Sequence, residues 1–487
     1  MDRKELATPK KVKPIKVKQF TIYLILFIIA VTNVLFFACV DTYHYSTSSR
    51  NDQALFQRIA LNILNHGEFS GSLNSELFFC PTRPPLYPLL LAGTWKITGT
   101  KALLPIRLIQ GIAYLLSIFF IFRIAMMLTF GNKTYAFVSA LYAALIPDLA
   151  TTVHPILTEG LTLFFLSLSV FLAVSLRTKI QTSSLVLLGL TLGFLILQRP
   201  SFTPIILLFI GYILYYARRT ARHLLSIIVL VTIPLIMVIT PWIMVNKIKK
   251  GSFSPAYTAL GHNLMQGIME KSPSSLQYFM NNYFKTSARN LDRTPYYNKM
   301  EQYVASDHAM ALSRNAFSPE QNELIYLATL TYIESWWLKP SPPDKVILSD
   351  MFLKKAALHW IRNNPSEFSK MVAQNIATLV WGGQPLVYQK VEGPIYVATL
   401  TIRLLLYILF FIGTIRLIRA RRFALAFFPL TLILYLLIIH APMHTEPRYF
   451  IYAYLFMTLA VPAGLTPSFL KYGQNNSPFS DKYSVVI

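Results

Sequence analysis

Ten apolar runs, several of them about 20 residues long, set the limits on what this chain can fold into. They lie near 19–40, 103–129, 135–149, 155–176, 183–199, 200–217, 222–245, 396–415, 423–440 and 447–466. An apolar run of about 18 or more residues with few charges can cross a bilayer, and it does so as a helix because a helix satisfies its own backbone in hydrocarbon. Of the 487 residues 54% are hydrophobic and 14% charged, a composition that fits the same class. The sequence therefore predicts an all-α polytopic membrane protein.

The formal charge of +24 invites a nucleic-acid reading. A nucleic-acid binder gathers its basic residues into a patch or stripe on a soluble domain. Here many of them sit at the ends of apolar runs, where the excess of Lys and Arg on the cytosolic side puts them. The partner these charges imply is the membrane, not nucleic acid. The basic opening segment, 1–18, has no small-residue cleavage site after the apolar run that follows, so it is expected to stay as a cytosolic anchor. Cys39 and Cys80 are the two cysteines, and a bond between them is compatible with their positions but not required.

One short segment decides the topology. "RPPLYPLLLAG", from Arg83 to Gly93, opens an apolar stretch too short to span. If 84–98 crossed the bilayer, the loops with Arg177 and Lys179, with Arg218, Arg219 and Arg222, and with Arg416, Arg419, Arg421 and Arg422 would all fall outside. If it does not cross, all three fall inside, as the charge rule requires. The expectation is about ten spans, both termini cytosolic, and 84–98 as a juxtamembrane helix at the outer surface with Pro85 in its first turn. The chain then divides into a cytosolic N-terminus (1–18), a transmembrane module (19–245) with a first outer loop at 41–102, an outer helical domain (246–395), C-terminal transmembrane helices (396–466) and a cytosolic tail (467–487).

Within 246–395 the helix signals are local. Ser318-Pro319 followed by Gln321 resembles a capping box opening "PEQNELIYLATLTYIESWWLK". "PSPPD" breaks that helix, a second ends before Pro365, and a third opens at Ser366 and stops at Gly382-Gly383.

With this topology the unusual polar residues collect on the outer side: Asp52 and Arg83 in the first outer loop, His154 and Glu159 at the second, Arg199 in "LQRPS", Asn246 after "TPW", and Glu446 with Arg448 in "HTEPRY". Ionisable residues at membrane depth are costly to keep and mark functional sites.

The ordered set "NDQALFQRIALNILNHGEF", "RPPLYPLLLA", "ILTEGLTLFFL", "LQRPS", "TPWIMVNKIKKGSFSPAYTALGHNLMQG", "NNPSEFSKMVAQNIATLVWGG" and "EPRYF" resembles the GT-C glycosyltransferases, specifically the bacterial relatives of protein O-mannosyltransferases and of the lipid A aminoarabinose transferase. The resemblance implies a membrane enzyme of the bacterial cytoplasmic membrane that takes a hexose or pentose from a polyprenyl (undecaprenyl-type) monophosphate carrier and places it on an acceptor at the outer face. The acceptor is an envelope glycan, a lipid or a protein, and the first outer loop carries the catalytic acid. The chain departs from the family pattern at Asn51-Asp52 and Phe56, where many relatives have Gly-Asp followed by Tyr, and at Val245, where they often have Arg.

Transfer from a phosphate carrier breaks the C1–O bond through an oxocarbenium-like state and releases a stable phosphate. A base for the acceptor hydroxyl and cations for the phosphate are thus needed more than an acid. Asp52 is the candidate base, with inversion at C1 as the consequence; its plainer role is to cap the helix it opens. Glu159 is the second catalytic candidate, positioned to orient the acceptor or a donor hydroxyl, or else an interface carboxylate. Arg83, Arg199 and Arg448 are candidates for the phosphate, since guanidinium groups bind its oxygens bidentately, with lipid headgroup contact as the alternative. Asn246, Asn263, Tyr87 and Tyr449 are candidates for sugar or acceptor binding, with turn structure the simpler role for the asparagines. His154 has no visible partner and reads as structural. No metal site or cofactor is assigned; a divalent cation is conceivable only where Asp52 and Glu159 converge. The rivals are a flippase or transporter for a lipid-linked glycan, which would show paired halves with broken helices near mid-membrane, and a non-enzymatic scaffold.

Overall fold

The computed structural model describes residues 19–41, 52–72, 77–177, 179–217, 224–250, 259–271, 293–305, 317–337, 342–381 and 393–468. The expected cytosolic N-terminus, the loop with Arg218, Arg219 and Arg222, and most of the tail lie outside the described residues. The described residues are mostly helical, with no strand among them.

The first half holds α1 (Gln19–Asp41), α2 (Asp52–His66), α3 (Leu86–Thr98), α4 (Leu104–Leu128), α5 (Lys133–Leu145), α6 (Pro147–Ala150), α7 (Glu159–Ser175), α8 (Thr182–Gln198), α9 (Ile205–Ala217) and α10 (Leu224–Lys250). The more polar middle holds α11 (Leu260–Lys271), α12 (Thr294–Ala305), α13 (Pro319–Trp337), α14 (Pro343–Asn363) and α15 (Pro365–Trp381). The last part holds α16 (Pro394–Arg419), α17 (Phe423–His440), α18 (Ile451–Met457) and α19 (Val461–Leu465).

Five of these helices are long and apolar enough to cross a membrane: α1, α4, α10, α16 and α17. The pair formed by α5 and 147–153 passes the same test together but bends by 67° at Ile146-Pro147, where proline removes a backbone donor. Three shorter apolar helices, Glu159–Ser175, Thr182–Gln198 and Pro200–Tyr216, fill the bundle. The run 447–466 is a correction to the sequence expectation. It is a 3₁₀ turn (Pro447–Phe450) followed by the short α18 and α19, not one continuous helix, and residues 450–464 are buried. Pro447 and Pro462 cannot sit inside a regular helix without costing a hydrogen bond each, and burial in protein lets the interrupted backbone find other partners.

Glycines set the closest helix contacts. Gly189 and Gly193 are four apart on α8 and face α10, so that a methyl group on Gly193 would lie 2.7 Å from Val238 Cβ and one on Gly189 would run into the Val231 carbonyl. Small residues at this spacing let two backbones approach in an apolar bundle. Gly413 and Gly464 do the same between α16 and α19.

The segment from Arg83 folds as expected into a helix too short to span. α3 starts after Pro85 and ends at Gly99, whose φ of 66° is the left-handed conformation that glycine adopts without strain. It packs on α2 through Phe56 and Ala60 against Tyr87, Leu91 and Trp95. The capping box also forms: Ser318 N donates to Gln321 Oε1 at 2.9 Å, and Gln321 N donates back to Ser318 Oγ at 3.2 Å. Helices α11–α15 share a hydrophobic cluster of their own, with Met265, Ile268, Phe352, Leu353 and Ala356 at its centre. Cys39 and Cys80 are not joined; Cys80 is buried beside Thr82 Oγ1.

Four helix ends meet at one place. The start of α2, the start of α7, the end of α8 and the end of α17 all border one cavity, and α11 covers it from the polar middle of the chain. Arg177, just past the far end of α7, and Arg421 with Arg422, at the far end of α17, stand at the opposite ends of these helices.

Candidate active site

The cavity encloses about 550 Å³ and is lined by charged and polar side chains from segments hundreds of residues apart. Asp52 is the first residue of α2, and both of its carboxylate oxygens are taken by guanidinium groups. Arg83 Nη2 donates to Oδ1 at 2.7 Å, and Arg448 Nη2 donates to Oδ2 at 3.0 Å. Arg448 Nη2 also reaches Glu446 Oε1 at 3.0 Å, while its Nε lies 3.8 Å from Glu159 Oε1. Arg199 Nη1 donates to Glu159 Oε1 at 3.2 Å and to the Tyr452 hydroxyl at 2.9 Å. The Arg199 guanidinium lies over the rings of Tyr449, 4.7 Å away, and Tyr452, 5.4 Å away. Three arginines and three carboxylates thus form one continuous circuit.

Burial works to raise the pKa of Asp52, but Arg83 and Arg448 overcome it and hold the carboxyl well below the usual range. Glu446 is pushed up by burial and more strongly down by Arg448 and His444, to about 2. His444 is pulled down by burial but raised to about 9 by its hydrogen bonds to Glu270 and Glu446. Its Nδ1 lies 2.9 Å from Glu270 and its Nε2 lies 3.4 Å from Glu446. His262 is held neutral, with burial lowering it to about 3 and the charges of His444 and Arg83 adding to the effect. Its ring stacks on Tyr332 at 4.1 Å.

Backbone without regular structure carries Glu159 into place. From Val153 to Thr158 the chain is held by side chains of other segments, as buried irregular backbone must be. Gln110 Nε2 donates to Val153 O at 2.7 Å and to Pro155 O at 3.0 Å. Gln53 Oε1 accepts from Ile156 N at 2.9 Å, Gln198 Nε2 donates to Thr158 O at 3.2 Å, and Arg107 Nε donates to His154 O at 3.0 Å. The Tyr87 hydroxyl donates to Gln110 Oε1 at 2.5 Å, tying α3 into the same network. The turn that carries Glu446 and Arg448 is pinned in a similar way. Asn375 Nδ2 donates to Ala441 O and Met443 O, both at 2.9 Å, and His444 N donates to Asn263 O at 2.8 Å.

Of the residues singled out in the sequence, Asp52, Arg83, Glu159, Arg199, Asn263, Glu446, Arg448 and Tyr449 all line the cavity. Tyr87 and Asn246 do not: Tyr87 is fully buried behind the wall against Phe56, and Asn246 is buried in α10. His154 is also away from the cavity, its Nε2 3.1 Å from Val34 O. The sequence left out Gln198, Ser201, His262, Glu270, His440 and His444, which line the cavity too. Gln198 and Ser201 flank Arg199 in "LQRPS", and His262 and His444 stand beside motif residues in "LGHNLMQG" and "MHTEPRY"; Glu270 and His440 carry no local signal. Asp52 and Glu159 are both committed to arginines, and no group of three His, Cys, Asp or Glu side chains converges to hold a metal among the described residues.

The described residues form an all-helical membrane fold in which several helix ends surround a cavity holding three guanidinium groups, a lining that can take an anionic group. Residues 82–244, about a third of the chain, match the family model of dolichyl-phosphate-mannose-protein mannosyltransferases. Among solved structures it is similar to ArnT from Cupriavidus metallidurans bound to undecaprenyl phosphate, with 14% identity, 92% of this chain and 78% of that one covered, and a TM-score of 0.40. It is also similar to the Archaeoglobus fulgidus oligosaccharyltransferase in its apo form, with 12% identity, 79% and 54% coverage and a TM-score of 0.36. No curated protein matches its sequence.

Proposed function

We propose that this chain transfers a hexose or pentose from an undecaprenyl-type monophosphate to an acceptor hydroxyl, with inversion at C1, at the outer face of the bacterial cytoplasmic membrane. The observation that carries the reading is the double pairing of Asp52 with Arg83 and Arg448 inside the cavity. A phosphodiester entering there competes with Asp52 for the same two guanidinium groups. As they turn to the phosphate, the carboxylate loses the charges that keep it a poor proton acceptor and becomes a stronger base. Asp52 then takes the proton of the acceptor hydroxyl while its oxygen bonds to C1 from the face opposite the phosphate. The C1–O bond breaks, and its electron pair stays on the polyprenyl phosphate, held by Arg83, Arg448 and Arg199.

The positive charge comes from arginines in this reading, without a divalent cation. The outer location follows from the basic clusters: Arg177, Arg421 and Arg422 mark the helix ends away from the cavity, and such clusters favour the cytosol. α3 forms one wall of the path by which the prenyl tail reaches the site, with Arg83 just before it at the phosphate. Helices α11–α15 form the outer domain that receives the acceptor, whether envelope glycan, lipid or protein.

The test is sugar transfer in proteoliposomes, from radiolabelled polyprenyl-phosphate sugars to extracted envelope acceptors, with Asp52→Asn as the comparison. Wild-type transfer that vanishes in the variant supports the proposal. Equal movement of label in both, with no new covalent product, would point to lipid transport and sink it.

A further inference from the structure

The cavity wall around Arg199 contains buried polar atoms that the ion-pair circuit does not use. Glu159 gives Oε1 to Arg199 and leaves Oε2 buried without a hydrogen-bond partner. Gln198 anchors Nε2 on Thr158 O and leaves Oε1 in the same state. Ser201 Oγ and His440 Nε2 are also buried and unpartnered, and all four residues line the cavity. Folded chains leave few such atoms, because each one gives up its water without a replacement. Four along one wall of a cavity are explained most simply by a ligand that supplies the missing partners.

Their contacts place them at one corner. Gln198 and Ser201 flank Arg199 on the turn after α8, and the Tyr435 hydroxyl fixes that turn by donating to Ser201 O. The His440 ring lies 4.7 Å from the ring of Tyr449, which Arg199 also covers. Glu159 and Arg199 are directly bonded. The corner is therefore next to the proposed phosphate site.

The chemistry of the four atoms narrows the ligand. Glu159 Oε2 and Gln198 Oε1 can only accept, Ser201 Oγ can do both, and His440 Nε2 does either according to its tautomer. A compact ring carrying several hydroxyl groups satisfies this set. A ring carrying a carboxylate does not, because it would bring a second anion to Glu159. We propose that Gln198, Ser201 and His440, together with Glu159, form the subsite that reads the hydroxyl groups of the transferred sugar and selects neutral rings over uronates. The inference rests on the glycosyl-transfer reading above and adds the class of sugar to it.

The experiment measures binding of two probes to the purified full-length chain in nanodiscs: undecaprenyl phosphate without a sugar, and the same lipid carrying a neutral hexose. A third probe carries the corresponding uronate. The variants are Ser201→Ala and His440→Phe, the second of which keeps an aromatic ring against Tyr449. Each is expected to weaken the hexose lipid about 3- to 10-fold, the effect of losing one hydrogen bond, and to leave undecaprenyl phosphate binding unchanged, which also shows that the variant is folded. The wild type should bind the hexose lipid at least tenfold more tightly than the uronate lipid, by about the repulsion of one extra charge. Unchanged hexose binding in both variants, equal loss of both lipids, or a wild type that binds the uronate lipid as tightly as the hexose lipid would overturn the assignment. A wild type that binds no polyprenyl phosphate at all would overturn the transfer reading itself, and the subsite with it.

Discussion

The carboxylate of Asp52 and the guanidinium of Arg448 meet at 3.0 Å although 396 residues separate them in the chain. This pair, completed by Arg83 on the other carboxylate oxygen, brings the first helix after the opening span against the turn before the last buried helices. Asp52→Asn keeps the shape but removes the charge and the base. Transfer should fall by about 10²- to 10⁴-fold. Affinity for undecaprenyl phosphate should stay level or rise, because the amide no longer competes for the arginines. Kinetics and lipid binding measured on the same preparation check both halves.

Arg448 serves Asp52 and Glu446 through one fork and approaches Glu159 with its Nε. An ammonium group cannot keep that geometry. Arg448→Lys should weaken the donor about tenfold and lower kcat further, while Arg419→Lys, on the last turn of α16, should change neither. A donor titration with both variants checks this.

His444 is a charged clamp between α11 and the 441–446 turn, held by Glu270 and Glu446. Its pKa is raised to about 9 in the folded chain from the ordinary 6.5. Such a group contributes stability that is complete below about pH 6.5 and disappears as pH rises through about 9. The shift corresponds to roughly 3 kcal/mol at most. His444→Gln should therefore lower the unfolding temperature at pH 6 and make little difference at pH 10, as measured by thermal unfolding in detergent across that range.

Gln110 holds two backbone carbonyls of the irregular segment that leads to Glu159. Gln110→Leu leaves both without a partner, at a cost of about 1–3 kcal/mol each. Tyr87→Phe removes only one hydroxyl from the network and should cost about 1 kcal/mol. Both should lower kcat through the position of Glu159, with the leucine variant losing more, while undecaprenyl phosphate binding is kept. Thermal unfolding beside steady-state kinetics distinguishes this from simple loss of folded protein.

Gly189 faces the Val231 carbonyl on α10 with no room for a methyl group. Gly189→Ala must push α8 and α10 apart and should destabilise the bundle by about 1–3 kcal/mol. Gly211→Ala on α9, where open space surrounds the added carbon, should be neutral or slightly stabilising. Thermal unfolding of the two variants gives the comparison.

The sequence by itself determined what depends on neighbours in the chain. Run length and low charge marked the apolar helices. Pro85 marked the start of α3, and Ser318 with Gln321 marked the start of α13, because caps and turns are local chemistry. The side of the membrane assigned by the basic clusters gathered Asp52, Arg83, Glu159, Arg199, Glu446 and Arg448 before any geometry was known, and all six line the cavity. What tertiary structure alone decided was which of those residues meet. The circuit of Asp52, Arg83, Glu159, Arg199, Glu446 and Arg448 draws on five separate segments, and no periodicity records which distant charges will pair. The same is true of 447–466, whose apolar length suggested a span but whose prolines and burial produced short pieces instead. Tyr87 and Gln198 exchanged expectations for the same reason. A tyrosine expected at the sugar is buried against Gln110, and a glutamine passed over beside Arg199 in "LQRPS" lines the cavity, because orientation is set by the helices packed around a residue and not by its own motif.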